Sequence, residues 1–405
     1  MILGMKFLEK KQERVYLDWA AATPLLPEAK VAMLPFLEND FGNPGAIHAE
    51  GLRAKQAVET ARDEVARSLE VRSEYVTFTS GGTESNNLAI LGTIMNLRAN
   101  RIDFVDMEVI TTKIEHPSVL KTMDELQRRG VSVEYVSVDE TGKIILSELK
   151  ELVSAKTVLT TCSLVNSEIG VVQPLHAIKK VLKEAEEKFS TKIYFHVDAA
   201  QAPLWLNCQF TSIGADYLAL DSAKCCGPKG IGLLVRSTRS ELRSVEFGGG
   251  QESGLRPGTE NVPAIVGTGV AFTFAQKNWR ERSEKVSKIR DQGIEYILKT
   301  INGAVLNGPT GKDRVANNIN ISVPGMDTEF ATVVLDKHGF AVSTKSACSG
   351  AGGGESVVVK AISRDPARAL STLRFTLGPA NTFEQIKKMA DILFKHKVKM
   401  KNLTQ

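Results

Sequence analysis

Short apolar runs rich in β-branched residues alternate with amphipathic stretches through the first two thirds of the chain. Helical patterns follow the first two runs, beginning near Glu84 and beyond residue 112. This alternation is typical of a mostly parallel sheet covered by helices, and it predicts an α/β fold. The predicted strands occupy residues 75–79, 109–112, 158–164, 193–197, 217–220 and 232–235.

The pattern changes after residue 262. A long helical stretch from Val262 to about Thr300 predicts a helix that bridges two domains. Because 405 residues exceed the size at which single cores stop growing, we predict a large domain at 15–262 and a smaller α+β domain formed by 1–14 and 263–405. The smaller domain is predicted to contain strands at 317–322 and 340–343 and helices beginning at Thr328, Ser356 and Thr382.

Polar residues follow several of the predicted strands directly. Ligands of open parallel sheets gather at the carboxyl ends of the strands, so these residues are predicted to share one rim. They are Thr79 to Thr83, His116, Asn166, Asp198 and the segment at Lys224.

Lys224 and Asp198 are a pair with specific chemistry. Asp198 ends an apolar strand and precedes Lys224 by 224 − 198 = 26 residues. A lysine amine can hold pyridoxal 5'-phosphate (PLP) as a Schiff base, and a carboxylate against the pyridine nitrogen keeps that ring protonated. Since burying an unpaired charge is costly, a pyridinium would also supply the partner that Asp198 needs. The pair predicts a PLP enzyme.

Other rim residues fit the same cofactor, although each also has a simpler interpretation. Gly82 and Thr83 begin a helix whose N–H groups suit a phosphate, or the segment is an ordinary capping box. His116 could stack on the cofactor ring, or it is a loop or capping residue. Gln201 and Asn166 could bond to the phenolic oxygen of the ring.

Two residues of the smaller domain are candidates for substrate chemistry. Cys348 lies in a Gly/Ser-rich stretch. A single cysteine is commonly a small buried hydrophobe, but this flexible polar setting favours a mobile nucleophile instead. Arg374 interrupts an alternating strand, and its planar fork fits an α-carboxylate. The simpler interpretation of Arg374 is a surface ion pair.

Composition excludes several classes of protein. The chain has 42% hydrophobic and 24% charged residues and a net charge of +4, which indicates a globular protein that binds no nucleic acid. Five cysteines without paired zinc-type spacing are expected to be reduced thiols, and Cys225 and Cys226 are expected to be packing residues. No apolar run approaches membrane-spanning length, so we expect a cytoplasmic location.

Taken together, the segments resemble the cysteine desulfurases of the class V aminotransferase family, PLP enzymes that take sulfur from L-cysteine and release L-alanine. The resemblance spans nearly the whole chain. It is carried by residues 16–24, 41–44, 79–87, 115–116, 165–173, 196–201, 227–230, 254–261, 346–349 and 373–375.

The resemblance implies a type I PLP fold with a seven-stranded sheet, and a homodimer in which Thr259 reaches the cofactor phosphate of the neighbouring subunit. Lys224 would carry the cofactor and shuttle a proton, and His116 would be a further catalytic residue. Cys348 would become a persulfide that passes sulfur to an acceptor protein, either an iron–sulfur scaffold or a thiolation carrier. The implied cofactor-binding residues are Gly82, Thr83, His116, Asn166, Asp198, Gln201, Ser222, Lys224 and Thr259. The implied substrate-binding residues are Asn43, Asn166 and Arg374.

The chain departs from the family pattern beside Lys224. The family has Ser-x-His-Lys where this chain has Asp221-Ser222-Ala223-Lys224, which removes two phosphate-side groups. Trp19 replaces an expected Asn, and Cys226 replaces an expected aromatic or His ring. A non-catalytic, desulfurase-like assembly component is therefore an alternative, and another PLP lyase or aminotransferase is a third.

Overall fold

Strands and helices alternate along the chain in the structure, a computed structural model that describes residues 14–344 and 354–403. The elements up to residue 236 are β1 Val15–Tyr16, α1 Pro27–Glu38, α2 Ala49–Leu69, β2 Val76–Thr79, α3 Gly82–Ala99, β3 Glu108–Thr111, α4 Pro117–Arg128, β4 Ser132–Tyr135, α5 Leu146–Leu152, β5 Thr157–Ser163, α6 Leu175–Phe189, β6 Tyr194–Asp198, α7 Phe210–Ile213, β7 Tyr217–Asp221 and β8 Gly232–Arg236. The later elements are α8 Val262–Lys277, α9 Trp279–Thr300, β9 Val305–Leu306, β10 Asn318–Ser322, α10 Thr328–Lys337, β11 Phe340–Ala341, α11 Val357–Ile362, α12 Pro366–Leu370, β12 Thr372–Thr376 and α13 Phe383–Leu403. No helix within these described ranges has the length and apolar character needed to cross a bilayer.

The central sheet has seven strands in the order β2-β8-β7-β6-β5-β3-β4. Only β8 runs antiparallel to its neighbours among these described strands, so the predicted mostly parallel sheet is confirmed. β4 was not predicted. It is an edge strand with the sequence Ser-Val-Glu-Tyr, in which only Val133 is fully buried, so it lacks the apolar run that reveals a central strand.

Helices cover both faces of this sheet, which explains why several of its strands, even β2 at one edge, are buried on both faces. β2, β5 and β6 are buried at every position. On one face, Leu88 of α3 and Val119 of α4 belong to one buried cluster. On the other face, Val65 of α2, Leu182 of α6 and Ile265 of α8 belong to a second, larger cluster. The sheet therefore presents its carboxyl edge, and not its faces, to ligands.

The C-terminal part contains a small antiparallel sheet in which β10 pairs with both β12 and β9. The N-terminal strand β1 crosses to this part and pairs in parallel with β11. An α+β arrangement thus follows α8 and α9, while the division into two domains at residues 262 and 263 stays a prediction.

The long helix predicted from Val262 to Thr300 is wrong as a single element. It is two helices, because Asn278 has φ −130° and ψ 31°, outside the helical region. Buried Arg282 donates from Nη1 to the carbonyls of Ala275 and Leu204, so the guanidinium satisfies an exposed end of α8 at the corner. Asparagine is a weak helix former, and the chain turns there.

Gly232, the first residue of β8, allows two strand ends to approach each other. It pairs with Thr79 of β2 on one side and with Asp221 of β7 on the other. A Cβ at this position would lie 2.4 Å from the carbonyl carbon of Gly81, which is closer than any real contact. The missing side chain therefore lets the turn before α3 lie beside the turn that carries Lys224.

We expect Gly232→Ala to lower the free energy of unfolding by about 1–3 kcal/mol, because the new methyl overpacks the Gly81 turn. Urea-induced unfolding measures the change. Gly250→Ala is the matched control, since nothing lies within 4 Å of a Cβ there; its effect should stay within about 0.5 kcal/mol. Equal effects of the two substitutions would contradict the close approach.

Candidate active site

The carboxyl edge of the central sheet borders a cavity of about 330 Å³. Asn43, Ser222 and Thr259 do not line it, and Cys348 lies outside the described residues. The predicted residues that do line it are Gly82, Thr83, His116, Asn166, Asp198, Gln201, Lys224 and Arg374. Residues from five strand ends and from the C-terminal part are thus brought to one place.

Asp198 is a buried carboxylate at the end of β6. Its Oδ2 accepts from Asn86 Nδ2 at 2.9 Å, and its Oδ1 accepts from the Ala200 N–H at 3.0 Å. Asp198 forms no ion pair with any other residue in 14–344 or 354–403. Neutral donors therefore hold this anion, and it faces the cavity without a cation to compensate its charge.

Lys224 ends a 3₁₀ turn, Ser222–Lys224, that directly follows β7. Its Nζ donates to the carbonyl of Ala20 at 3.0 Å and to the carbonyl of Ala21. Gln201 Nε2 donates to the same Ala20 carbonyl at 3.0 Å. The segment after β1 is therefore a wall of the site, and the amine is held at a defined position beside it.

His116 is fixed by a polar chain that reaches Asp198. It is the N-cap of α4, and its Nδ1 accepts from the Ser118 N–H at 3.1 Å. The neutral ring therefore carries its proton on Nε2. Asn86 Nδ2 donates to Ser118 Oγ at 2.8 Å as well as to Asp198, which completes the chain. Burial lowers the pKa of His116 despite the nearby Asp198 charge, so the neutral form is favoured.

Glu115 places a second buried carboxyl close to Asp198. Its Oε1 accepts from Thr112 Oγ1 at 2.7 Å. Burial raises the pKa of Glu115 to about 7, and the negative charge of Asp198 adds to the rise, although the Thr112 hydrogen bond opposes it. No role was predicted from the sequence for Glu115, Asn86 or Ser118, although segments 79–87 and 115–116 are among those that carry the family resemblance.

Asn166 joins the loop after β5 to the loop after β3. Its Nδ2 donates to the Ile114 carbonyl at 2.8 Å, and its Oδ1 accepts from the N–H groups of Glu168 and Ile169. An amide nitrogen carries two hydrogens, so a second hydrogen is available to a ligand in the cavity. Asn166 therefore shapes the cavity wall.

Arg374 on β12 is only 1% exposed, so its interpretation as a surface ion pair is wrong. Nη2 lies 2.9 Å from Asp18 Oδ1, and Nη1 donates to the Ser167 carbonyl at 3.1 Å. Nε is buried and has no hydrogen-bond partner among the described residues. A buried, incompletely satisfied guanidinium on a cavity wall is suited to bind a carboxylate.

The start of α3 is closed by the chain's own carboxylates. Asp221 Oδ2 accepts from the Gly82 N–H at 3.2 Å, and Oδ1 accepts from the Ala223 N–H at 2.9 Å. The Glu84 carboxylate accepts a hydrogen bond from the Ser80 N–H, in agreement with the capping interpretation of this segment. The Ser222 hydroxyl is buried and lies 2.9 Å from Thr268 Oγ1.

The other departures from the family pattern are accommodated by local packing. Trp19 lies against Gly378, where an added Cβ would be 1.9 Å from the indole ring. Cys226 has φ 65°, and its N–H donates to Thr23 Oγ1 at 2.8 Å. Cys225 and Cys226 are buried free thiols, as expected for packing residues.

Comparisons with known proteins agree with this architecture. The family model described as Aminotransferase class-V matches residues 15–389. A cysteine desulfurase IscS from Dictyoglomus turgidum is 37% identical over 382 residues, which is 94% of each chain. The structure of a NifS-like protein has a TM-score of 0.86 at 31% identity and covers 95% of this chain and 99% of its own. A structure titled "SspA in complex with cysteine" has a TM-score of 0.75 at 32% identity over 90% of this chain and 99% of its own.

The chain belongs to the cysteine desulfurase family within the class-V aminotransferases. Proteins of this class depend on PLP. The residues fit the ring end of that cofactor, because Asp198 offers an uncompensated buried carboxylate and Lys224 an amine in the same cavity. At the phosphate end, the Gly82 N–H is already bonded to Asp221.

The raised pKa of Glu115 predicts a pH-dependent stability of the apoprotein. Below pH 4.5 the carboxyl is protonated in both the folded and the unfolded chain, and between pH 4.5 and about 7 only the folded chain keeps the proton. Stability is therefore lost as pH rises through about 7. Relative to Glu115→Gln, wild type should lose up to about 3 kcal/mol of unfolding free energy across this range.

Urea unfolding of both proteins at several pH values measures this difference. Exposed Glu187→Gln on α6 is the matched control, and its difference from wild type should not follow the same trend. A gap between wild type and Glu115→Gln that is constant with pH would show that folding does not shift the pKa of Glu115.

Proposed function

We propose that this chain is a PLP-dependent cysteine desulfurase that converts L-cysteine to L-alanine and passes the sulfur, through a persulfide on Cys348, to an acceptor protein. One observation carries the proposal: Asp198 and Lys224 meet in the cavity that Arg374 also lines. A buried carboxylate without a cationic partner, an amine and a guanidinium together suit an amino acid bound through PLP.

At the ring end of the cavity, Asp198 would bind the cofactor's ring nitrogen, and Asn86 would keep its carboxylate oriented. His116, fixed through Ser118, would present its neutral imidazole to the ring. Gln201 and Asn166 would bind the phenolic oxygen. When bound, PLP withdraws electrons from the α-carbon of the amino acid attached to it.

At the substrate end, Arg374 would bind the α-carboxylate of L-cysteine. Its Nη2 is already directed by Asp18, so the guanidinium plane is fixed before the substrate arrives. Fixed donors lose less conformational freedom on binding than mobile ones. Asn43, exposed in the loop before α2, is proposed as a further substrate-binding residue.

Lys224 would also move the α-proton once its amine is released from the cofactor. Its Nζ would return to the Ala20 and Ala21 carbonyls, which orient the amine at the edge of the cavity. A positioned amine of this kind acts as a general acid and base.

Cys348 is proposed as the nucleophile because the described residues that follow its segment line the cavity and those that precede it bond to a lining residue. The backbone of Ser343 bonds to that of Arg374, and Gly354 and Ser356 line the cavity. The Ser356 hydroxyl donates to Glu168, another lining residue. The Cys348 thiolate would attack the substrate sulfur, forming a sulfur–sulfur bond as the carbon–sulfur bond breaks, and the carbon would take up protons to become alanine.

Further parts of the proposal concern the assembly. We propose a homodimer in which Thr259, exposed in the single chain, binds the cofactor phosphate of the second subunit. A sulfur-acceptor protein would collect the persulfide sulfur. The proposed location is the cytoplasm.

Cofactor attachment is tested by incubating the purified protein with PLP, reducing with borohydride and mapping the pyridoxyl group by mass spectrometry. The label is expected on Lys224 and absent in Lys224→Ala. Lys229→Ala is the matched control, because Lys229 is exposed and does not line the cavity; it should keep the label. A wild-type protein that remains unlabelled would favour the non-catalytic alternative.

Sulfur chemistry is tested by measuring alanine and sulfide release from L-cysteine. Cys348→Ala should reduce alanine release by at least about 100-fold, since loss of the nucleophile removes the covalent route. Cys208→Ala, at a buried thiol that does not line the cavity, should retain activity. Full alanine release by Cys348→Ala would overturn the persulfide mechanism and favour another PLP lyase or an aminotransferase.

A further inference from the structure

Asp221 places a negative charge at the beginning of α3, directly inside the cavity. Its carboxylate bridges two backbone donors, the N–H of Gly82 at 3.2 Å and the N–H of Ala223 at 2.9 Å. A Cβ added at Gly82 would lie 3.3 Å from Asp221 Cβ and 3.4 Å from Oδ2. The carboxylate therefore lies in contact with the helix start, and no second anion fits between them.

The physical role of that helix start is to attract an anion. The first N–H groups of an α-helix have no partner within the helix, and the aligned peptide dipoles give this end a partial positive charge. α3 has 18 residues, and its N-cap residue is Gly81, which has no side chain to cap the helix. The carboxylate of Asp221 satisfies this end from a different strand, 139 residues away along the chain.

A cofactor phosphate and the Asp221 carboxylate compete for the same donor. Both are anions, so they repel each other at contact distance as well as exclude each other from the Gly82 N–H. Arg256 is itself bonded to Glu84, in the first turn of α3, at 3.2 Å. The Arg256 guanidinium is therefore already paired with a carboxylate of α3.

We propose that Asp221 is an internal competitor of the cofactor phosphate, and that it must leave the start of α3 before PLP binds fully. This inference rests on the proposed function, because it takes PLP as the ligand. Asp221 thereby lowers the affinity of this chain for PLP and has much less effect on pyridoxal, which lacks the phosphate.

The same displacement affects Lys224. Asp221 Oδ1 caps the turn Ser222–Lys224 by accepting the Ala223 N–H, so a carboxylate that moves away leaves this turn without its cap. The Lys224 amine is bonded to the carbonyls of Ala20 and Ala21 in the structure. Phosphate binding and the freedom of the Lys224 turn are therefore coupled through one side chain.

Replacement donors close to the phosphate end are few. The Ser222 hydroxyl is buried against Thr268, and Ala223 has no side-chain donor. Thr83 is exposed and lines the cavity, and its hydroxyl has no hydrogen-bond partner among the described residues. PLP affinity should therefore depend strongly on whether the Asp221 carboxylate occupies the Gly82 N–H.

The proposal is tested by titrating the apoprotein with PLP and, separately, with pyridoxal, and following the absorption of the bound cofactor. Asp221→Ser should bind PLP about 10- to 100-fold more tightly than wild type, the range expected for one charge-assisted hydrogen bond regained. Its affinity for pyridoxal should change by less than about threefold. Asp221→Asn, which keeps the shape and can still accept from Gly82, should tighten PLP binding by an intermediate factor.

Asp124→Asn is the matched control, because it removes one carboxylate charge from α4 at a residue that does not line the cavity. It should leave both affinities unchanged. A second readout uses inorganic phosphate alone, which should raise the melting temperature of apo Asp221→Ser and not that of wild type, since a ligand stabilises only the state that binds it.

The outcomes separate this inference from the proposed function. If wild type and Asp221→Ser bind PLP with equal affinity, the competition is absent and the inference fails while the proposed function stands. If wild type, Asp221→Ser and Asp221→Asn all fail to bind PLP, both the inference and the proposed function fail. An equal gain for PLP and pyridoxal would also overturn the inference, because it would place the effect of Asp221 away from the phosphate.

Discussion

The site depends on one constraint, the burial of the Asp198 carboxylate at the end of an apolar strand without a cationic side chain beside it. Neutral donors must then surround it, and Asn86 and the Ala200 N–H provide them. Asn86 also bonds to Ser118, which fixes His116. The same buried charge helps to raise the pKa of Glu115. One uncompensated anion thus orders several of the side chains at the ring end of the cavity.

The start of α3, which also borders the cavity, has the reverse arrangement. There the helix start of α3 attracts an anion, and the chain supplies its own in Asp221. A PLP molecule has a cationic ring nitrogen and an anionic phosphate, so its ring nitrogen would match Asp198 and its phosphate would meet the proposed competitor, Asp221. The resemblance to cysteine desulfurases is therefore strong at the ring end and altered at the phosphate end.

Distant parts of the chain line the cavity together. The central sheet contributes its carboxyl edge, the segment after β1 contributes the Ala20 carbonyl, and β12 contributes Arg374. The pairing of β1 with β11 and the ion pair between Asp18 and Arg374 join the N-terminal segment to the C-terminal part. The residues proposed to bind substrate and to attach the cofactor are consequently joined through the N-terminal segment.

The sequence alone determined the parallel sheet, the shared rim and the pairing of Lys224 with Asp198, because apolar runs and strand ends are local features. It missed β4, whose edge position leaves it polar, and the break at Asn278. Only the tertiary structure decided that Arg374 is buried and that Asp221 reaches Gly82. The second contact requires β2 and β7 to flank β8, and a glycine at 232 to let their ends approach. Such contacts arise from strand order, which no local pattern encodes.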